Sequence, residues 1–239
     1  MNIALIGYGK MGKTIERLAL AAGHSVVLKI DQDNTGDLNP DRLKGVDVAI
    51  EFSRPESAYD NISRCLEAGV PVVCGTTGWL DQLETVKALC EARKGAFLYA
   101  SNFSVGVNLF FALNRHLARL MANYPQYEPA LLEIHHVHKL DAPSGTAITL
   151  AEDLMSALPE KQKWVNTAPG APDELAILSE RIGEVPGTHE VRYASAIDTI
   201  TIRHEAHSRE GFAYGALVAA EWIVEREGCF EMKDVLGLG

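Results

Sequence analysis

The densest chemistry in the sequence lies between residues 133 and 147, which read EIHHVHKLDAPSGTA. Three of the chain's 8 histidines, His135, His136 and His138, cluster here, and Lys139 follows at once. An imidazole titrates near neutral pH and can donate a proton there. On an antiparallel strand over 129–138, His136 and His138 share one face and His135 takes the other. The chain from Asp141 to Thr146 then turns into a helix over 144–158, with Ser144 suited to its N-cap. Orphan amides at that helix start, including those of Gly145 and Thr146, with the Ser144 and Thr146 hydroxyls, would cradle a carboxylate. The imidazoles and the ammonium around it make an anion site with a proton donor at hand. Three other readings stand beside this one. The histidines could ligate a metal, although no Cys or paired acid gives a fixed ligand spacing. One or more, His138 for instance, could be inert core histidines. Lys139 could be a solvated charge.

A second constellation opens the chain. Gly7-Tyr8-Gly9-Lys10-Met11-Gly12 fits GxGxxG directly after the strand-like NIALI and at the start of a helix. Gly7 permits a tight turn, Gly9 lets the backbone approach a pyrophosphate, and Gly12 permits close helix–strand packing. Helix N-terminal amides then face the anion. Asp31 closes the second strand, placed to accept hydrogen bonds from ribose hydroxyls. Its charge repels a 2′-phosphate and Gln32 supplies no cation, so NADH is expected over NADPH; an outward-pointing Lys29 would soften that preference. Ligands of parallel sheets sit beyond the strand carboxyl ends. Three such ends are Phe52–Arg54, Gly75-Thr76-Thr77 and Ala100-Ser101-Asn102-Phe103. Each, taken alone, reads equally well as an ordinary turn.

The elements that must position these residues follow from hydrophobic pattern. Residues 2–6, 25–30, 46–52, 71–75 and 96–100 read as strands, several almost wholly apolar. Residues 12–22, 56–68 and 80–94 read as helices between them. That alternation predicts a parallel sheet covered on both faces. From 106 onward the pattern changes. Helices are expected over 106–122, 144–158 and 212–227, and two strand-like runs over 189–205. A loop is expected over 159–175, with Pro159, Pro169, Gly170 and Pro172. The fold class is therefore α/β: a Rossmann-type parallel sheet, then an α+β domain on a mostly antiparallel or mixed sheet. The expected division is a dinucleotide-binding domain over 1–105, completed by 209–239, and a substrate and oligomerisation domain over 106–208. A hinge near Ser208–Arg209 would send the last helix back to the first domain.

The 239 residues are 47% hydrophobic and 23% charged, ordinary for a globular protein. Lys plus Arg number 22 against 32 Asp plus Glu, a formal charge of −10. That balance argues against nucleic acid or an anionic membrane as partner. The 4 cysteines form no CxxC pair, which fits a reducing compartment. No signal peptide and no apolar run of membrane-spanning length is read, so a cytoplasmic location is expected.

The segment 133–147 resembles the signature E-x-H-H-x-x-K-x-D-x-P-S-G-T-A of the dihydrodipicolinate reductase family. EFSRPE at 51–56, GTTG at 75–78, SNFSVGVN at 101–108, GEVPGTHEVRY at 183–193 and DVLGL at 234–238 extend the resemblance to nearly the whole chain. It implies an NADH- or NADPH-dependent reductase in lysine and diaminopimelate synthesis, assembled as a homotetramer. It implies His135 as proton donor with Lys139 assisting, and His136, Ser144, Gly145 and Thr146 on the carboxylates of a cyclic substrate. The cofactor would lie on residues 7–12, Asp31, Gly75–Thr77 and Ala100–Phe103. Arg209 stands where the family has a hinge arginine. Two departures weigh against a phosphorylated cofactor. The glycine turn is one residue shorter than G-x-G-G-R-M-G and lacks its arginine, leaving Lys10 as the substitute. Gln32 stands where NADPH-tolerant members often carry arginine. In the expected reaction, hydride adds to substrate C4, the 4-hydroxyl leaves as water, and His135 supplies the proton as the domains close. The competing readings are an amino- or imino-acid dehydrogenase of the aspartate dehydrogenase type, an NADH-sensing regulator, and a metal hydrolase.

Overall fold

A computed structural model describes residues 1–167, 171–208 and 210–238; Pro169, Gly170 and Arg209 lie outside the described residues. Chain order runs β1 (Asn2–Ile6), α1 (Lys10–Ala21), β2 (Ser25–Ile30), α2 (Pro40–Leu43), β3 (Val48–Glu51), α3 (Pro55–Glu67), β4 (Val72–Cys74), α4 (Leu83–Arg93) and β5 (Ala96–Tyr99). It continues with α5 (Val105–Met121), β6 (Glu128–His135), α6 (Gly145–Ala157), β7 (Lys163–Val165), β8 (Glu174–Arg181), β9 (Gly187–Ala194) and β10 (Thr199–Ala206). It ends with α7 (Glu210–Ile223), β11 (Gly228–Phe230) and α8 (Met232–Val235). The chain divides into two compact units, Met1–Val105 with Glu210–Gly239, and Gly106–Arg209.

The first unit is a six-stranded sheet in the order β11-β5-β4-β3-β1-β2. Every neighbouring pair is parallel. β3 and β4 bury every residue. Strands covered on both faces must be apolar throughout, which is why VDVAIEF and PVVC carry so little alternation. One face packs Ile62, Cys65 and Leu66 of α3 with Val86 and Cys90 of α4. The other packs Ile15 and Ala19 of α1 with Ala213, Ala216 and Ala220 of α7. Close approach of α7 depends on Gly215, where a Cβ would fall 1.7 Å from the Phe103 carbonyl oxygen. The helix read over 212–227 ends at Ile223. The polar run after it gives way to β11, an edge strand absent from the sequence reading.

The second unit is a five-stranded sheet in the order β10-β9-β6-β8-β7. β6, β8 and β7 run parallel to one another, while β9 is antiparallel to both its neighbours, β6 and β10. The sheet is thus mixed rather than mostly antiparallel. β8 went unread because its alternating Leu175 and Ile177 sit just after a Pro-rich stretch. The expected loop over 159–175 also holds β7 and the first residues of β8. Leu150 and Leu154 of α6 pack on Leu131, Leu175, Ile177, Val191 and Tyr193. This places the start of α6 beside the end of β6. Among the described residues, no helix is long and apolar enough to cross a membrane.

Candidate active site

The strand β6 stops at His135, where the Ile182 amide donates to the His135 carbonyl at 2.8 Å. His136 to Lys139 is a turn, closed by the Lys139 amide on the His136 carbonyl at 3.1 Å. The strand expected to continue to residue 138 is therefore too long. His136 and His138 are neighbours because of this turn, with ring centroids 6.2 Å apart, and not through strand alternation. His138 is exposed beside Glu184, which overturns its core reading. Lys139 is an ion-paired side chain, its Nζ donating to both Asp141 oxygens at 2.8 and 2.9 Å. That pair holds the Asp141 carboxyl below its ordinary range.

Strand alternation sends Glu133 and His135 inward together, and both are buried. Glu133 is fully buried, which requires partners. Its Oε2 accepts the Ser144 amide at 3.0 Å and its Oε1 accepts the Arg181 guanidinium at 3.2 Å. Burial pushes this carboxyl up, but hydrogen bonds led by Ser144, and the Arg181 contact, leave it below the usual range. His135 Nδ1 lies 3.4 Å from Glu133 Oε2, an electrostatic contact rather than a tight hydrogen bond. Burial lowers the His135 pKa; Glu133 opposes that, and Lys139 and Arg181 reinforce it. His189 of β9 stands edge-on to His135, centroids 5.1 Å apart, with Nε2 3.2 Å from Ser144 Oγ. Burial, then the neighbouring His135, lowers His189 to about 4. Gly187 faces the same imidazole, since a Cβ there would meet His135 Nε2 at 3.2 Å.

Ser144 caps α6 as expected, its Oγ accepting the Ala147 amide at 3.2 Å. With its own amide on Glu133 and its hydroxyl shared with His189, Ser144 is buried and occupied. The Gly145 and Thr146 amides remain in the first turn, the latter two open to a carboxylate. His189, Arg181 and Gly187 escaped the sequence reading of the site. They come from strands far along the chain, and GTHEV at 187–191 was the available signal.

Glu133, His135 and His189 each present a ligand atom within 4.8 Å of the others. The sequence trio His135, His136 and His138 is not the group so gathered. The Arg181 guanidinium on Glu133 opposes a cation, and the carboxylate is already hydrogen-bonded. A metal does not fit this donor set well.

In the first unit, Gly7 adopts φ +91 and a Cβ on it would meet the Phe52 carbonyl oxygen at 2.0 Å. A Cβ at Gly12 would meet the Gly7 carbonyl at 2.3 Å. At Gly9 a Cβ would meet nothing within 4 Å. Gly7 and Gly12 are thus packed, and Gly9 borders open space. Gly9 caps α1 without any side-chain hydrogen bond, and Lys10 and Met11 begin the helix. The first-turn amides are left for an external acceptor. Gly7, Gly9, Asp31, Gln32, Thr35, Arg54 and Ser57 line one crevice. These residues fit a dinucleotide. Lys29 does not point freely outward, because it is paired with Glu16 at 2.5 Å.

The loops after β3 and β4 are tied by a buried carboxylate that the sequence reading passed over. Glu51 Oε1 accepts the Ser53 amide at 3.1 Å, and Cys74 Sγ donates to Oε2 at 3.2 Å. Thr76 Oγ1 accepts the same Ser53 amide at 2.8 Å. Thr76 is therefore a buried latch, while Thr77 is exposed. Gly75 is required by the Phe52 ring, 2.2 Å from where its Cβ would be. Ala100 and Phe103 are buried, and Phe103 packs on Phe52 at 5.5 Å, so its side chain belongs to the core. Ser101 is exposed and Asn102 Oδ1 accepts the Ser104 amide at 2.9 Å.

A glycine-turn parallel sheet followed by a mixed-sheet unit defines a Rossmann-type oxidoreductase. Residues 1–103 match the family described as dihydrodipicolinate reductase, N-terminus, and 106–236 match its C-terminus. The chain belongs to the dihydrodipicolinate reductase family. It is 48% identical over 237 residues to a 4-hydroxy-tetrahydrodipicolinate reductase from Christiangramia forsetii, covering 99% of this chain and 98% of that protein. It is 36% identical over 230 residues to the protein of that name from Neisseria gonorrhoeae, covering 93% and 84%. In fold it is similar to a dipicolinate-bound dihydrodipicolinate reductase from Paenisporosarcina sp. TG-14, with TM-score 0.77, 24% identity and 97% of each chain covered.

Proposed function

We propose that this chain reduces 4-hydroxy-tetrahydrodipicolinate, with His135 as proton donor. The observation that carries the reading is the buried Glu133–His135 pair at the end of β6, in the unit whose helix α6 opens with the Gly145 and Thr146 amides. A reduced nicotinamide supplies the hydride that adds to C4 of the ring, and the 4-hydroxyl is lost as water. The substrate carboxylates bind the Gly145 and Thr146 amides, with His136 and Lys139 as the adjoining charged or polar groups. Burial favours neutral His135 in the free protein. A bound dianion raises the His135 pKa by adding negative charge, so the proton arrives with the substrate. His135 then gives it to the side of the ring where charge builds, and Lys139 stabilises that charge.

On the cofactor, Asp31 favours NADH by repelling a 2′-phosphate. Arg54, a cation in the same crevice, opposes that preference. Residues 7–12, Asp31, Thr77 and Ser101–Asn102 are the contacts this reading gives the cofactor. Gly75, Thr76, Ala100 and Phe103 support it from beneath. The family resemblance further supports a role in lysine and diaminopimelate synthesis as a cytoplasmic homotetramer. Leu109, Leu113 and Leu120, exposed on α5, suit an assembly surface.

The test is a coupled assay in which an aldol condensation generates the unstable substrate in place, with NADH and NADPH compared. His135→Gln is expected to lower kcat by roughly 10²–10⁴-fold and leave NADH binding intact. Near-wild-type turnover in that variant rejects the donor role. Absence of any substrate-dependent NADH or NADPH consumption rejects the activity.

A further inference from the structure

The four cysteines show no spacing pattern in sequence, yet the fold brings two of them together. Cys229 lies on the edge strand β11, in register with Phe97 of β5, and its neighbour Phe230 is in register with Leu98. Partners in a parallel register point to the same face. Phe97 belongs to the cluster that holds Val86 and Cys90 of α4, whereas Leu98 and Phe230 belong to the opposite cluster with Trp222. Cys229 therefore faces α4. Cys90 Sγ donates to the carbonyl of Gly228, the residue before Cys229, at 3.5 Å. That contact sets the Cys90 thiol against the backbone that leads into Cys229. Both line one surface cavity, with Lys87 and Glu91. Cys90 is buried and Cys229 is exposed.

An exposed thiol backed by a buried one is the arrangement of an attacking and a resolving cysteine. We propose that Cys229 and Cys90 form a redox modification site, oxidised by a hydroperoxide to a disulfide that staples α4 to the edge strand β11. In the first step the Cys229 thiolate attacks a peroxide oxygen. A sulfur–oxygen bond forms, the oxygen–oxygen bond breaks, and the released hydroxide or alkoxide takes up a proton. Cys229 is oxidised to the sulfenic acid and the peroxide is reduced. In the second step Cys90 loses its proton and its sulfur attacks Cys229, and the hydroxyl leaves as water. Two equivalents of a small thiol reverse the reaction and leave as their own disulfide. The neighbouring Cys90 thiol lowers the Cys229 pKa. Burial opposes that, Lys87 assists, and Glu91 and Glu84 oppose. Cys65 and Cys74 do not compete, because both are buried and their thiols are raised by burial and by Glu51.

The site is independent of the reductase reaction, and so is its test. The full chain is treated with hydrogen peroxide and then with an alkylating reagent, and its peptides are analysed by mass spectrometry. The expected product is one intramolecular Cys90–Cys229 link, two hydrogens lighter, which a small thiol reopens. In Cys90→Ala, dimedone should trap the sulfenic acid at Cys229. Cys229→Ser, at an exposed position, should lose the link and leave Cys90 reduced. A Cys229 that goes on to the sulfinic acid with Cys90 still alkylatable in the native sequence overturns the proposal. So does a link that joins only two chains through Cys229.

Discussion

Glu133 Oε2 lies 3.4 Å from Nδ1 of His135, with both groups buried on the inward face of the same strand. The carboxylate raises the His135 pKa against burial, Lys139 and Arg181, with a smaller push from Asp141. The imidazole has its Nε2 turned toward Gly187. Glu133→Gln keeps the shape and removes the charge. The expected result is a kcat lowered by about 10–100-fold, of the order of losing a supporting partner to a catalytic group. The alkaline limb of kcat/KM should move to lower pH, because the imidazolium loses its neighbouring anion. A pH–rate profile checks this, and an unmoved limb would mean that Glu133 serves only the Ser144 amide and Arg181.

In the proposed reading, cofactor choice turns on Asp31 and Gln32. Asp31 Oδ1 accepts the Gln32 amide at 2.9 Å, which fixes the carboxylate at the mouth of the crevice. Gln32→Arg should bring a cation to the position a 2′-phosphate would take. The expected outcome is a rise in kcat/KM for NADPH of about tenfold, worth ~1.4 kcal/mol by the usual conversion, with NADH little changed. Steady-state kinetics with both cofactors measure it. Equal gains with the two would show that the added charge acts on the pyrophosphate instead.

His189 gives the fold a pH dependence. Its pKa falls to about 4 in the folded chain from an ordinary value of 6.5, so the native state favours the neutral ring. The unfolded chain then binds more protons between those values, and stability rises with pH through that window. The contribution is complete above pH 6.5 and is lost as pH falls toward 4. Its size is on the order of 3 kcal/mol at most. His189→Gln should narrow the gap in Tm between wild type and variant as the pH is lowered from 6.5 to 4. Thermal melts at several pH values check the sign. A gap that widens on acidification would contradict a neutral buried ring.

Much of this is legible in the sequence, and the reasons are local. The near-continuous apolar runs of β1, β3 and β4 announce strands covered on both faces. Ser144 announces a cap because its residue type and the following apolar spacing leave few alternatives. The extent of β6 was not legible. HHV has acceptable strand character, and what ends the strand is a pairing of His135 with Ile182, 47 residues on, which no local pattern contains. β8 and β11 were missed for a related reason. Both are short or placed beside turn residues, and their identity comes from partners distant in sequence. The same holds for Arg181 and His189. Their roles come from register with Glu133 and His135, since His189 pairs opposite Glu133 and Arg181 pairs with His135.

The glycine turn separates packing from binding, which makes its three glycines unequal. Gly7 has a positive φ and no room for a Cβ, so Gly7→Ala strains the backbone and collides with Phe52. Gly12 is buried against the Gly7 carbonyl. Gly9 has an ordinary negative φ of −80 and open space where its Cβ would go. Gly9→Ala should therefore fold with a Tm close to that of wild type, while Gly7→Ala should lose roughly 2–4 kcal/mol, in the range of backbone strain added to a steric clash. If the open space at Gly9 is where a pyrophosphate approaches the α1 amides, Gly9→Ala should still weaken NADH binding by at least tenfold. Thermal melts and fluorescence titration with NADH read the two effects separately. A Gly9→Ala variant that binds NADH like the wild type would place the cofactor away from this turn.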